Sequence, residues 1–562
     1  MESVIWALPE PELVLVAFAV SLAFSWWSYG HTKPSVNHLK SLDHLIIDKQ
    51  AKKILKVDEH VYIASGYGTT TCALIEGNDG CVLVNALDSF EWAMEARSAF
   101  SFITKKPLKA IILSRFDPSF VNGLPIWLEN DSPMGKRKES PRIFVHEEFP
   151  KVMNEHLALA VKQRLSVFSN MTISADGPNV PIELLRTFPS DLTVDICGLA
   201  LELVHLGGLA KDEIGLWWPE QRIFFASDSI GLEIPDLFPI HGGPQRDPMQ
   251  WIEGVEKVQK LEPEVLIMSH ARPILVQAEI KEVLEIQQAV IRFLHDQTVR
   301  YMNKGLFPDQ IVELIKLPIA LGNHPIMALS QVPTSWIIRG LFNYYMGWFS
   351  GKASELNPQS PSVAKTKWIQ LLGGELNVLQ HAQRALAQDE LEWGLELIEL
   401  LHGANSTAES RAIHNSIMVQ LAARPGLAAK EREFLTSLAG PTLRFAQEPT
   451  KSLIAENLTL NECHMILRSR VDPSKFPTGF NKKIRIRFTD HANLPLLSVE
   501  IRNSVVVIQD GSSEGHANKD WRPALSVELE LNAWKVFCVH GTLDERYQAY
   551  YQKMVGPYQG TK

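Results

Sequence analysis

The sequence predicts an α/β chain of several domains, and three observations carry that expectation. Short strands with turn signals fill residues 61–85, a buried strand at residues 110–113 opens into a polar loop, and alternation returns near the C-terminus after a long helical stretch. A length of 562 residues leaves room for two to four domains. The 45% hydrophobic and 21% charged residues are the proportions of an ordinary globular chain. A net charge of −9 argues against nucleic acid as a partner. Five cysteines (Cys72, Cys81, Cys197, Cys463 and Cys538) show no CxxC or zinc-knuckle spacing, so a reducing compartment fits better than a disulfide scaffold.

Taken in order, residues 13–27 are a largely apolar run that as a helix would cover about 22 Å, short of the ~30 Å hydrocarbon core. Trp26, Trp27 and Tyr29 suit an interfacial belt, so the expectation is membrane association through this segment, single-pass or interfacial. If it spans, Lys33 and Lys40 after it place the body on the cytoplasmic side, and the other reading of so short a run is a buried N-terminal helix. Residues 61–66, 71–76 and 81–85, with a turn at Gly77-Asn78-Asp79-Gly80, read as a meander with a hairpin, and residues 89–104 as a helix. The strand at 110–113 leads through Ser114-Arg115-Phe116-Asp117-Pro118-Ser119-Phe120-Val121-Asn122-Gly123, where Asp-Pro and Asn-Gly mark a loop.

Strands at 142–145 and 192–195 alternate with a helix near 150–163. Residues 216–228 read as a hairpin ending in Asp228, and 265–270 as a buried strand ending in His270. Ile280, Leu284, Ile291 and Leu294 make a helical stripe closed by Gly305 and Pro308. Further helices run from 368 to about 401, turned at Gly373-Gly374, and from 408 to 423. Strands at 484–488, 497–502, 504–509 and 525–529, with a terminal helix at 543–554, read as a small α+β domain.

Several stretches resemble the alkyl sulfatase branch of the metallo-β-lactamase superfamily. They are Gly66-Tyr67-Gly68 with Ile75-Glu76, residues 238–247, Pro263-Glu264-Val265-Leu266, Ser269-His270, His295-Asp296-Gln297-Thr298, Gly347-Trp348-Phe349 and Leu356-Asn357-Pro358. The likeness covers roughly residues 45–560. It implies a metallo-β-lactamase-like αββα sandwich, an all-α dimerisation domain and a C-terminal α+β sterol-carrier-like domain. The expected divisions are an anchor segment at 1–40, the sandwich at 41–278, the helical domain at 279–438 and the last domain at 439–562. A homodimer is expected with it.

In that family the loop after the 110–113 strand carries a His-x-His-x-Asp-His metal motif. Residue by residue, Arg115 and Asp117 stand at the first two histidines, Ser119 at the aspartate and Phe120 at the last histidine. Leu209 stands at one glutamate position, with Glu213 four residues on, Asp228 at the bridging glutamate and His270 at the late histidine. Zinc takes imidazole, thiolate or carboxylate, so Asp117, Asp228 and His270 are the residual candidates, while Arg115, Ser119, Phe120 and Leu209 are lost positions. Two unit charges about 4 Å apart repel by roughly 4 kcal/mol at an effective dielectric near 20, and a divalent ion beside Arg115 roughly doubles that. The family's sulfate-binding Leu-Arg-Gly becomes Ile240-His241-Gly242, leaving His241 and Arg246 as the anion-binding candidates.

The expectation is therefore a degenerate alkyl sulfatase-like protein that has no cofactor, binds an amphiphilic or lipid ligand as a dimer or serves as a scaffold, and leaves the catalytic residues unassigned. The competing expectation is an active hydrolase of fatty-alcohol sulfates using zinc at Asp117, Asp228 and His270, with His205 or His241 assisting. A nucleophilic triad of Ser229, Asp228 and His270 lacks the Gly-x-Ser-x-Gly elbow.

Overall fold

The computed structural model describes residues 42–46, 51–129, 134, 139–158, 180–240, 246–402, 406–439, 460–470, 481–491, 494, 496–502, 505–510 and 525–540. The apolar segment at 13–27, His241 and the helix expected at 543–554 lie outside them. Among the described residues no helix is long and apolar enough to cross a membrane.

Two sheets face each other. The first runs β1 (Lys53–Asp58), β2 (Val61–Ser65), β3 (Cys72–Glu76), β4 (Cys81–Val84), β5 (Leu108–Ile112), β6 (Arg142–His146) and β7 (Leu185–Phe188), in that spatial order. Its first four strands form an antiparallel meander, and β4 to β7 are parallel. The second sheet has the order β12-β11-β10-β9-β8, from β8 (Leu192–Ile196), β9 (Leu199–His205), β10 (Ile214–Trp218), β11 (Ile223–Phe225) and β12 (Val265–Ile267), with β11 and β12 parallel.

Side chains along a strand alternate between faces, and β5 uses both. Ala110 and Ile112 enter the core between the sheets with Ile63, Val82, Leu203, Leu216 and Trp218. Ile111 and Leu113 point the other way and pack with Ala93, Ala96 and Phe100 of the helix Phe90–Ser101. A strand buried on both faces reads as a continuous apolar run, which is why 110–113 shows no alternation in sequence. The helix Pro248–Leu261 buries Trp251, Ile252, Val255 and Val258 and lies against Leu206 and Gly208. It is capped by Asp247, whose side chain accepts from the Met249 and Gln250 amides.

Beyond the sandwich, the helix Gln277–Met302 buries Ile280, Val283, Leu284, Val290, Ile291 and Leu294 on one face, and Thr334–Met346 packs beside it. Glu375–Ala387, Leu391–Glu399 and Ala408–Ala423 share a core of Leu379, Leu397, Ile398, Ile413 and Ile417. The sequence had no signal for the break between the first two, which falls where Asp389 takes a left-handed conformation with φ 61°. The helix Pro361–Leu371 buries no residue and leaves Trp368 54% and Leu371 74% exposed.

The last region is a four-stranded sheet ordered β15-β14-β13-β16, from β13 (Asn481–Phe488), β14 (Leu497–Arg502), β15 (Val505–Asp510) and β16 (Leu525–Leu529). Its apolar face is covered by the helices Leu460–Arg470 and Leu531–His540 through Cys463, Ile466, Trp534 and Cys538. Neither helix was expected from sequence.

Candidate functional site

The loops that leave β5, β11 and β12 meet at one end of the sandwich. Because β11 and β12 are parallel and hydrogen-bonded, their C-terminal ends lie side by side and bring Asp228 and His270 together. The β5 loop turns into the short helix Pro118–Val121, with Asp117 as its N-cap accepting from the Ser119 amide and hydroxyl at 3.0 and 2.6 Å. Gly123 closes that loop against the β4 end. A Cβ there would stand 2.1 Å from the Ala86 carbonyl oxygen, so only glycine permits the approach.

Arg115 occupies the centre. Its Nη2 donates to Asp117 Oδ2 and to Asp228 Oδ2, each at 2.7 Å. The side chain is 12% exposed, and its guanidinium carbon lies 5.9 Å from the Phe120 ring centroid. Burial opposes the charge on Arg115, but Asp117, Asp228, Glu213 and Asp212 together outweigh it and raise its pKa. Burial likewise works against charge on Asp228, and Arg115 and His270 overcome it, holding that carboxyl well below the usual range.

His270 settles its own protonation by geometry. Nε2 lies 3.0 Å from Asp228 Oδ1 and Nδ1 lies 3.0 Å from the Thr69 carbonyl oxygen. Both partners are acceptors, so both ring nitrogens carry a proton. Burial pulls against this charge, yet Asp228 and Glu233 with the Thr69 carbonyl raise the imidazole to about 9.

The other sequence candidates divide clearly. Ser119 and Phe120 are buried, the first turned to Asp117 and the second packed in the core. Leu209 is a buried apolar wall residue. Glu213 is fully buried and accepts from the amide and hydroxyl of Ser229, and burial raises its pKa. This removes Ser229 from any triad, because its hydroxyl faces Glu213 and the Gly207 carbonyl rather than His270. Asp212, also buried, takes the Phe116 amide at 2.6 Å and is pushed up to about 7 by burial. His205 stacks on His146 with centroids 4.0 Å apart and joins none of the three candidates in a hydrogen bond. Arg246 donates to the Asp236 carbonyl oxygen, and burial followed by the nearby Arg115 lowers its pKa.

These residues do not fit a dizinc centre. Arg115, Ser119, Phe120 and Leu209 offer zinc no ligand, both candidate carboxylates aim Oδ2 at a guanidinium, and a doubly protonated imidazole has no lone pair to give. Among the described residues no group of three or more His, Cys, Asp or Glu side chains is arranged to hold an ion.

A cavity of about 310 Å³ opens beside Arg115 and is walled by Leu209, Pro235, Ile240, Arg246 and Phe434 among others. Lys430 reaches into it from the helix Ala429–Leu438 and bonds the buried carboxylate of Asp236 at 2.8 Å. Gln331 similarly reaches Glu233. Sequence reasoning missed Lys430 and Gln331, since nothing marks a contact with residues 194 and 98 positions away. Thr69 was within reach, because it directly follows the quoted Gly66-Tyr67-Gly68 motif.

Residues 307–440 match the alkyl sulfatase dimerisation family. A linear primary-alkylsulfatase from a Pseudomonas species is 27% identical over 344 residues, covering 58% of this chain and 65% of that protein. An alkyl/aryl-sulfatase of Saccharomyces cerevisiae is 23% identical, covering 62% of this chain and 57% of its own length. The chain thus spans under two thirds of the curated relatives it matches. The stereoselective inverting sec-alkylsulfatase Pisa1 from a Pseudomonas species superposes with a TM-score of 0.73 over 90% of this chain and 82% of Pisa1, at 20% identity. The paired sheets with their strand-end site define a metallo-β-lactamase-fold protein. Within that fold, the chain is similar to alkylsulfatases, through residues 307–440 and through the relatives above.

Proposed function

We propose that this chain is a non-hydrolysing member of the alkyl sulfatase branch that binds an amphiphilic ligand as a homodimer. The observation that carries the reading is the guanidinium of Arg115 set 2.7 Å from both remaining carboxylates, where hydrolysis would need a Lewis acid and activated water. A cavity mixing apolar walls with Arg246 suits a ligand that has a tail and a polar head. The match to a dimerisation family and the exposed helix Pro361–Leu371 support the second copy.

The C-terminal α+β region is proposed as a sterol-carrier-like lipid module, the divisions fall near residues 40, 278 and 438, and residues 13–27 hold the body to the cytoplasmic face of a membrane. The test is sulfate release from dodecyl sulfate by the purified full chain, with and without added zinc, beside calorimetric binding of octyl sulfate. Binding without turnover is expected. Zinc-dependent turnover lost in Asp228→Ala would overturn the proposal and establish the second reading, an alkyl sulfatase like the curated relatives.

A further inference from the structure

We infer that Arg115 is a tethered cation standing in the place of a divalent ion, so that the intact chain excludes metal from Asp117 and Asp228 and a chain without the guanidinium admits one. The inference rests on the reading that the site is metal-free and goes beyond it, because it assigns the exclusion to one side chain rather than to the general loss of donors.

The geometry has four parts. First, Nη2 sits between the two Oδ2 atoms and joins the β5 loop to the β11 loop. Second, each carboxylate is anchored by its other oxygen. Asp117 Oδ1 takes the Ser119 amide and hydroxyl, and Asp228 Oδ1 takes His270 Nε2, so the two Oδ2 atoms keep their aim once the guanidinium is gone. Third, an ion at the Nη2 point would lie 2.7 Å from each Oδ2. That is about half an ångström more than a zinc–oxygen contact and close to the ~2.3–2.6 Å of larger, harder ions, so a small inward shift completes the contact. Fourth, the arginine does not act as a gate. It is 12% exposed, packed beside Phe120, and its Nε is buried.

Charge completes the picture. The guanidinium and the imidazolium of His270 place two positive charges beside the two carboxylates, and a cation entering there would meet both. Removing Arg115 takes one positive charge from beside the two carboxylates and leaves oxygen donors, the type that suits manganese, calcium or magnesium.

The experiment titrates manganese(II) into the full chain and follows free-ion EPR, with thermal unfolding in manganese and in chelator. For the wild type, binding at this site is absent and the unfolding midpoint is the same in both solutions. Arg115→Ala binds manganese at least tenfold more tightly than wild type, near one ion per chain, and its lowered midpoint rises with the ion. Arg115→Gln, which keeps an N–H for one carboxylate, reports the same gain if the alanine chain does not fold. Adding Asp228→Asn to either variant abolishes it. Equal manganese binding by wild type and a folded Arg115 variant, or a gain that survives Asp228→Asn, overturns the inference. Metal-dependent sulfate release by the wild type would instead overturn the functional reading, so the two failures are distinguishable.

Discussion

Replacing Asp228 by asparagine removes one charge and little volume from a cluster that has no spare partners. Arg115 keeps its hydrogen bond to Asp117, and His270 faces an amide in place of a carboxylate. The side chains of Arg115 and Asp228 are 12% and 15% exposed, so solvent compensates little. Removing one partner of such a buried pair costs about 3–5 kcal/mol. The lower end applies, because Asp117 still holds the guanidinium. For a sandwich of roughly 200 residues each kcal/mol moves the unfolding midpoint by about 2–4 °C, so the first transition should fall by about 6–12 °C.

The same substitution removes the chief influence that raises His270. Burial then dominates, and the imidazole titrates far below about 9, moving toward or below the ordinary histidine range of about 6.5. Differential scanning calorimetry and an NMR titration of the His270 ring read the two effects independently. A midpoint within 1 °C of wild type together with an unmoved His270 titration would refute the network as drawn.

Other consequences follow from the same geometry. Because the folded pKa of His270 is raised, its contribution is complete below about pH 6.5 and is lost as pH climbs through about 9. Asp228 is depressed, so its contribution is present above about pH 4 and is lost as pH falls through its lowered value. Wild-type stability should therefore have a shoulder at alkaline pH that is missing in Asp228→Asn, read from denaturant midpoints across pH 6–10. Gly123→Ala places a methyl 2.1 Å from the Ala86 oxygen and 2.7 Å from the Ala93 side chain, and should cost about 1–3 kcal/mol in urea unfolding. Trp368→Glu with Leu371→Glu should yield monomers in analytical ultracentrifugation with unchanged circular dichroism, since neither residue is buried within one chain. An unaltered dimer would move the interface elsewhere.

Much of the sandwich was legible because its signals are local. Residues 110–113 read as a buried strand, Gly77-Asn78-Asp79-Gly80 as a hairpin turn and the 280–303 stripe as a helix, and the structure has each of them. Helices such as Leu531–His540 escaped, because strand-like composition beside a sheet hides a short helix whose face is set by packing. The helix Pro248–Leu261 escaped as well, although its Asp247 cap with Pro248 is a recognisable start signal.

At the site, the sequence by itself put arginine, serine and phenylalanine in the loop after β5, none of them a usual zinc ligand, because donor chemistry belongs to residue type and needs no coordinates. Only the tertiary structure decided what those residues do. Parallel pairing of β11 with β12 sets His270 against Asp228, and the loop after β5 carries Arg115 to the same point from another sheet. A carboxylate 113 positions away in the chain comes within 2.7 Å of the guanidinium, and a lysine from the helical region reaches the cavity wall. Such contacts depend on sheet order and on which strand ends meet, and short-range sequence pattern encodes neither.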